Sequence, residues 1–101
     1  MNICLKNQRI LITGASRGIG RAIAKQLSES GAEVIIHYNS NKSEADKLKN
    51  ELQNPSFTET CDLSDVEQVK GFIPRLVEKY GPLSALVNNA GISPSAADSL
   101  P

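Results

Sequence analysis

Three glycines stand at positions 14, 18 and 20 in Thr13-Gly14-Ala15-Ser16-Arg17-Gly18-Ile19-Gly20, directly behind the apolar run 10–12 and ahead of a helical pattern. Glycine loses more backbone entropy on folding than any other residue, so such a cluster serves a geometry that side chains would block. The chemistry that suits it best is anion binding. Gly14 permits a tight turn out of a strand, Gly18 lets a pyrophosphate approach the backbone, and Gly20 lets helix and strand pack closely. The free amides of the first helical turn then face the anion, with the helix dipole behind them. Arg17 sits beside that positive end, where a cation is disfavoured unless an anion is bound.

Two other loop chemistries compete. A nucleoside-triphosphate P-loop needs Gly-Lys-Ser/Thr at its end, and Gly20 is followed by Arg21. Gly14-Ala15-Ser16-Arg17-Gly18 also matches the Gly-x-Ser-x-Gly elbow that would make Ser16 a hydrolytic nucleophile. That chemistry calls for a later acid followed by a later histidine, whereas the single histidine, His37, lies on the next strand. The Ser16 hydrolase is the least favoured reading.

Composition removes further classes. Eleven acidic and eleven basic residues are mixed along the chain, leaving no basic field for nucleic acid or an anionic membrane surface. Cys4 and Cys61 are far apart and in no metal or redox spacing, so no metal site is expected and reduced thiols are the default. The longest apolar stretches, such as 34–36 and 85–87, are far too short to cross a bilayer, and MNICLKNQR lacks the apolar core of a signal peptide. The expectation is a soluble, cytoplasmic protein that binds a small molecule.

The elements that must position the loop follow from periodicity. Residues 10–12 read as a strand buried on both faces. Ile19, Ala22, Ile23 and Leu27 form one stripe of a helix over 19–30, ended by Gly31. Residues 33–38 read as a second strand, and 41–53 as a helix with Ala45, Leu48 and Leu52 inward and Asn41 and Glu44 at its cap. Asn54 and Pro55 break the chain before a third strand over 57–61. Ser64 and Glu67 stand in capping-box spacing ahead of a helix whose Val66, Val69, Phe72, Ile73, Leu76, Val77 and Tyr80 share one face. Gly71 and Pro74 inside it predict a kink, and Gly81-Pro82 stops it. A fourth strand runs over 85–88. This alternation predicts an α/β layered fold, half of a Rossmann dinucleotide-binding domain, with four parallel strands in the order 3-2-1-4 and three helices. One partial domain is expected over 1–92, with a frayed tail over 93–101.

Three motifs in order carry a resemblance. Thr13-Gly14-Ala15-Ser16-Arg17-Gly18-Ile19-Gly20 resembles the TGxxxGxG signature of the short-chain dehydrogenase/reductases, Asn88-Asn89-Ala90-Gly91 their NNAG motif, and Asp62-Leu63 the end of the third strand where the family contacts adenine. The wording TGASRGIGRAIA is most similar to the branch containing 3-oxoacyl-[acyl-carrier-protein] reductases. The resemblance implies NAD(P)-dependent oxidoreduction of a carbonyl or alcohol. Gly14, Ser16, Arg17, Gly18 and Gly20 would form the cofactor loop, with Ile19 near the nicotinamide end. Asp62 would accept from the adenine amino group, Leu63 would contact the base, and Asn89, Ala90 and Gly91 would wall the adenosine side.

Cofactor choice is read at the end of the second strand, where an acidic residue would hold the ribose 2′-hydroxyl of NAD and repel the 2′-phosphate of NADP. Tyr38, Asn39 and Ser40 stand there instead. With Arg17 to pair with a phosphate, NADP(H) is preferred and NAD(H) stays open. His37 reads as a half-buried strand residue with no catalytic role. Tyr38 and Lys42 imitate the family's YxxxK spacing at the wrong end of the cofactor. In the resemblance, the catalytic serine, tyrosine, lysine and asparagine lie beyond the fourth strand, so no catalytic residue is assigned and the chain is expected to be inactive alone. A noncatalytic NADP(H)-sensing or partner-binding module is the alternative. An open fourth-strand edge is expected to favour self-association or pairing with a missing C-terminal half.

Overall fold

Ile10, Leu11 and Ile12 need cover on two faces, and the architecture supplies it. The computed structural model describes residues 4–15 and 18–89. Its elements run β1 (Arg9–Thr13), α1 (Gly18–Glu29), β2 (Glu33–Tyr38), α2 (Lys42–Glu51), β3 (Ser56–Thr60), α3 (Val66–Tyr80) and β4 (Ala85–Asn88). All strand pairs are parallel and the sheet order is β3-β2-β1-β4, the predicted topology. β1 and β2 occupy the centre, which is why they are the most continuously apolar strands. The tail over 93–101 lies outside the described residues.

The two-residue period of a strand splits the core into two layers. Ile10, Ile12, Val34 and Ile36 face α1 and α2, where Ala24, Ala45 and Leu48 meet them. Leu11 and Ile35 point the other way, onto Phe72 and Leu76 of α3 and Cys61 beyond β3. Asn41 caps α2 as expected, its Oδ1 accepting the Glu44 amide at 3.2 Å.

One expectation about α3 is corrected and another is refined. Its cap is Asp65 and not Ser64: the Asp65 carboxylate accepts the Glu67 amide at 3.0 Å and the Gln68 amide at 3.3 Å. A full negative charge at that end also complements the helix dipole, whereas the Ser64 hydroxyl is spent donating to Asp62 Oδ1 at 2.6 Å. The seven-residue apolar face is also only partly used. Phe72 and Leu76 are buried and Tyr80 is half-buried, but Val66, Val69, Ile73 and Val77 remain 64%, 41%, 37% and 39% exposed. The sheet takes the 72/76/80 row, and the adjoining 66/69/73/77 row lies to one side.

A polar cluster fixes the far end of α3 to β3. Largely buried Glu59 accepts from Lys79 Nζ at 2.8 Å and from the Tyr80 hydroxyl, with Arg75 Nη2 at 3.6 Å. Burial works to raise the Glu59 carboxyl, but the bonds from Lys79 and Tyr80 and the nearby cations bring it below the usual glutamate range.

The helix runs unbroken through Pro74. Gly71, exposed in its interior, has nothing within 4 Å of where a Cβ would stand. Gly71→Ala is therefore expected to stabilise the fold by about 0.5–1 kcal/mol. A higher urea midpoint at unchanged m-value checks it.

Candidate functional site

Parallel strands deliver all their C-terminal ends to one edge of the sheet, so the loops after β1, β2, β3 and β4 gather there. The turn after β1 is clamped from both sides. Gly14 (φ 62°) donates its amide to His37 Nδ1 at 3.1 Å, Ala15 donates to the His37 carbonyl at 3.3 Å, and Asn89 Nδ2 donates to the Gly14 carbonyl at 3.0 Å. Both peptide groups of Gly14 are thereby satisfied by the neighbouring strands. Thr13 Oγ1 adds a bond to Asn88 Oδ1 at 3.1 Å.

Gly20 and Gly18 are glycine for different reasons. A Cβ on Gly20 would stand 2.5 Å from Asn89 Nδ2, 2.6 Å from the Gly14 oxygen and 3.0 Å from Ala15 Cα, so the start of α1 can lie on the turn only without one. Gly18 has φ 65°, where a side chain is strained, and nothing lies within 4 Å of its Cβ position. The first turn of α1 carries no acidic residue, and Arg21 is turned away to pair with Glu51. Ile19 beside it is exposed.

At the end of β2, Tyr38 is half-buried while Asn39 and Ser40 are exposed. Thr60 Oγ1 holds the Asn39 carbonyl at 2.9 Å, and Lys42 is occupied by Asp46 at 2.8 Å. After β3, Asp62 Oδ1 accepts from the Ser64 amide at 2.9 Å and its hydroxyl at 2.6 Å, and the Asp62 amide donates to Gln68 Oε1 at 2.9 Å. The Ser64 bonds hold the Asp62 carboxyl below the usual aspartate range, so near neutral pH it is an ionised, acceptor-only group. Leu63 next to it is exposed. Gly14, Gly20 and Asn89 are thus in direct contact, with Asn39–Ser40 and Asp62–Leu63 on the adjoining strand ends. Ser16, Arg17, Ala90 and Gly91 lie outside the described residues.

His37 is a correction. Expected to be a half-buried strand residue, it is 2% exposed, and its ring joins the Gly14 turn to the Cys61 carbonyl, 2.8 Å from Nε2. Its signal in the sequence is faint: one polar residue in the apolar strand EVIIHY.

A family model described as short chain dehydrogenase matches residues 8–100. The chain belongs to the short-chain dehydrogenase family. Among curated relatives it is 43% identical over 86 residues to a 3-oxoacyl-[acyl-carrier-protein] reductase FabG of Staphylococcus aureus, a match covering 82% of this chain and 35% of that protein. Among solved structures it superposes on a dehydrogenase/reductase from Sinorhizobium meliloti with TM-score 0.79 at 34% identity, covering 86% of this chain and 36% of that one. A short chain dehydrogenase from Burkholderia cenocepacia, solved in complex with NADP, gives TM-score 0.76 at 36% identity over 83% of this chain and 36% of its own. The chain therefore spans about a third of the length of these relatives.

The residues of this short-chain dehydrogenase chain fit a dinucleotide. The open space where a Gly18 Cβ would stand, an α1 first turn free of acidic side chains, and the exposed Ile19 and Leu63 on the same edge are what a pyrophosphate and two flanking aromatic rings require. Among the described residues no helix is long and apolar enough to cross a membrane.

Proposed function

We propose that the chain is the NADP(H)-binding part of a short-chain reductase of the 3-oxoacyl-[acyl-carrier-protein] reductase type, working on a carbonyl or alcohol. The observation that supports this reading is the close seating of Gly20 on the Gly14 turn, with open space where a Gly18 Cβ would stand. Bound there, the dinucleotide supplies or accepts a hydride through its nicotinamide ring. The chain's own work is binding and orientation. Amides at the start of α1 hold the pyrophosphate, with Ser16 and Arg17 in the same loop. The ionised Asp62 accepts from the adenine amino group, and Leu63 lies against the base. Asn89, Ala90 and Gly91 wall the adenosine side.

NADP(H) is favoured over NAD(H) because no acid stands at the β2 terminus. Tyr38, Asn39 and Ser40 face the ribose there, and Arg17 pairs with the 2′-phosphate. The outer edge of β4, with Leu86 54% exposed, is where further polypeptide pairs with this sheet. Two cysteines without a disulfide suit the reducing cytoplasm.

Calorimetric titration of the full chain with NADP+ and NAD+ tests the reading. A charged pair to the 2′-phosphate is expected to make NADP+ bind about tenfold or more tightly than NAD+. Equal affinity would overturn the cofactor choice, and a folded chain that binds neither would overturn the site. Gly18→Ala puts a side chain in the left-handed region and into the open space. It is expected to weaken both ligands about tenfold or more while costing about 1–2 kcal/mol of stability.

A further inference from the structure

We infer that His37 is a positioning residue of the dinucleotide site: its neutral ring ties the Gly14 turn to the end of β3, and nucleotide affinity falls when the ring takes up a proton. The inference rests on the dinucleotide reading above and adds a residue that it does not contain.

The geometry fixes the tautomer. The Cys61 carbonyl can only accept, so Nε2, 2.8 Å away, carries the hydrogen. The Gly14 amide can only donate, so Nδ1, 3.1 Å away, is bare. One ring thus spans two strand ends. Gly14 opens the loop whose backbone meets the pyrophosphate, and Cys61 immediately precedes Asp62, the adenine acceptor. The backbone reinforces the link on both sides, Ala15 donating to the His37 carbonyl and Cys61 donating to the Tyr38 carbonyl, each at 3.3 Å. Phe72 holds the ring edge-on at 5.6 Å between centroids.

A proton on Nδ1 sets two donors against each other, and the ring or the Gly14 turn must give way. The Gly14 carbonyl is bonded to Asn89, so movement of this turn reaches the β4 loop as well. Burial lowers the ring's proton affinity below that of an ordinary histidine, with the Cys61 bond working in the opposite sense. The other ionisable groups on the ring's side of the sheet are Arg9 from β1, Glu33 from β2, Glu59 from β3, Cys61 just beyond it, and Arg75, Lys79 and Tyr80 from α3. Glu59 is paired with the last three, Arg75 lies over the Phe72 ring at 5.3 Å, and the Cys61 thiol is pushed up by burial and stays neutral. β1 brings Arg9 to this face ahead of Leu11 and Thr13, and Arg9 is paired with Glu33 of β2 at 2.6 Å, at the end of the strands away from the Gly14 turn. Of these groups His37 is the one bonded directly to the Gly14 turn, so its protonation is the one that acts on the loop.

His37 is the single histidine, so one set of ring resonances reports it. Nitrogen-15 histidine spectra of the full chain are expected to show the hydrogen on Nε2, with the Gly14 amide shift following the ring's titration. NADP+ is then titrated calorimetrically at pH 8 and pH 5 against wild type, His37→Asn and His37→Phe. Asparagine offers the Gly14 amide a non-titrating acceptor, and its comparison with wild type cancels the titration of the nucleotide phosphates. Between pH 8 and pH 5 the wild type is expected to lose about threefold or more affinity beyond the loss in His37→Asn. At pH 8, His37→Asn stays within about threefold of wild type, and His37→Phe loses about tenfold. A hydrogen on Nδ1, or the same pH profile in wild type and His37→Asn, would overturn the inference while leaving the dinucleotide site standing. No binding by folded wild type at pH 8 overturns both. Where the variants do not fold, a Gly14 amide that ignores the ring's titration in the wild type is enough to overturn it.

Discussion

Gly20→Ala is expected to lower stability by about 2–3 kcal/mol and to remove measurable dinucleotide binding. Each of the three atoms that the new methyl would meet lies at or inside 3.0 Å, and two of them belong to the backbone of the Gly14–Ala15 turn. The third is Asn89 Nδ2, which can swing away only by giving up its bond to the Gly14 carbonyl. The start of α1 must therefore lift off the turn, or the turn must shift towards β4. Either movement displaces the amides of the first helical turn from the strand edge they serve. Gly18→Ala differs in kind, because its Cβ meets nothing in the protein and its cost is backbone strain. Urea unfolding of the two variants beside wild type, followed by NADP+ titration of each, separates the effects: Gly20→Ala loses stability and binding together, and Gly18→Ala loses mainly binding. A Gly20→Ala protein as stable as wild type that still binds NADP+ would show that the close seating of α1 on the turn does not matter.

The fold was legible because local and global signals agree. Buried β1 and β2 are the most apolar strands, Asn41 caps the helix it precedes, and Gly31 and Gly81 follow helix ends, so each element declares itself within a few residues. What stayed hidden depends on partners distant in sequence. The bonds of His37 reach back 23 residues to Gly14 and forward 24 to Cys61, and no spacing rule links such positions. The spacing points to Ser64 as the cap of α3, one residue early, because Ser64 and Asp65 are both good capping residues. Only the competing claim of Asp62 on the Ser64 hydroxyl decides between them. Helical periodicity correctly grouped the apolar residues of α3, but periodicity cannot say which edge of a broad stripe the sheet will take. The roles of Gly18 and Gly20 show the same limit: the sequence marks both as glycine, and coordinates alone separate a left-handed backbone from a close contact.

That division of the α3 stripe makes Leu76→Ala the second large effect. α3 reaches the sheet through two fully or nearly buried side chains, Phe72 and Leu76, with half-buried Tyr80 and the Glu59 cluster at its end. Leu76 is completely buried against a layer that includes Leu11 and Ile35, and truncating it leaves a cavity that a sheet on one side cannot close. The expected cost is about 3 kcal/mol, a large share of what a domain this small has to spare. Ile73→Ala, one turn away on the 37% exposed row, is expected to cost under about 1 kcal/mol, since little apolar area leaves the core with it. Acid should weaken both variants. Glu59 stabilises the docked helix above the ordinary glutamate range, and that contribution is lost as pH falls through its depressed folded value. Urea midpoints of both variants at pH 7 and pH 4, with amide exchange along α3, check the account. In Leu76→Ala the α3 amides should exchange far faster than those of α1 and α2, because the defect loosens one face of the sheet while the other keeps its own core. Equal losses in Leu76→Ala and Ile73→Ala would mean that the exposed row is packed in solution and that α3 has a partner on that side.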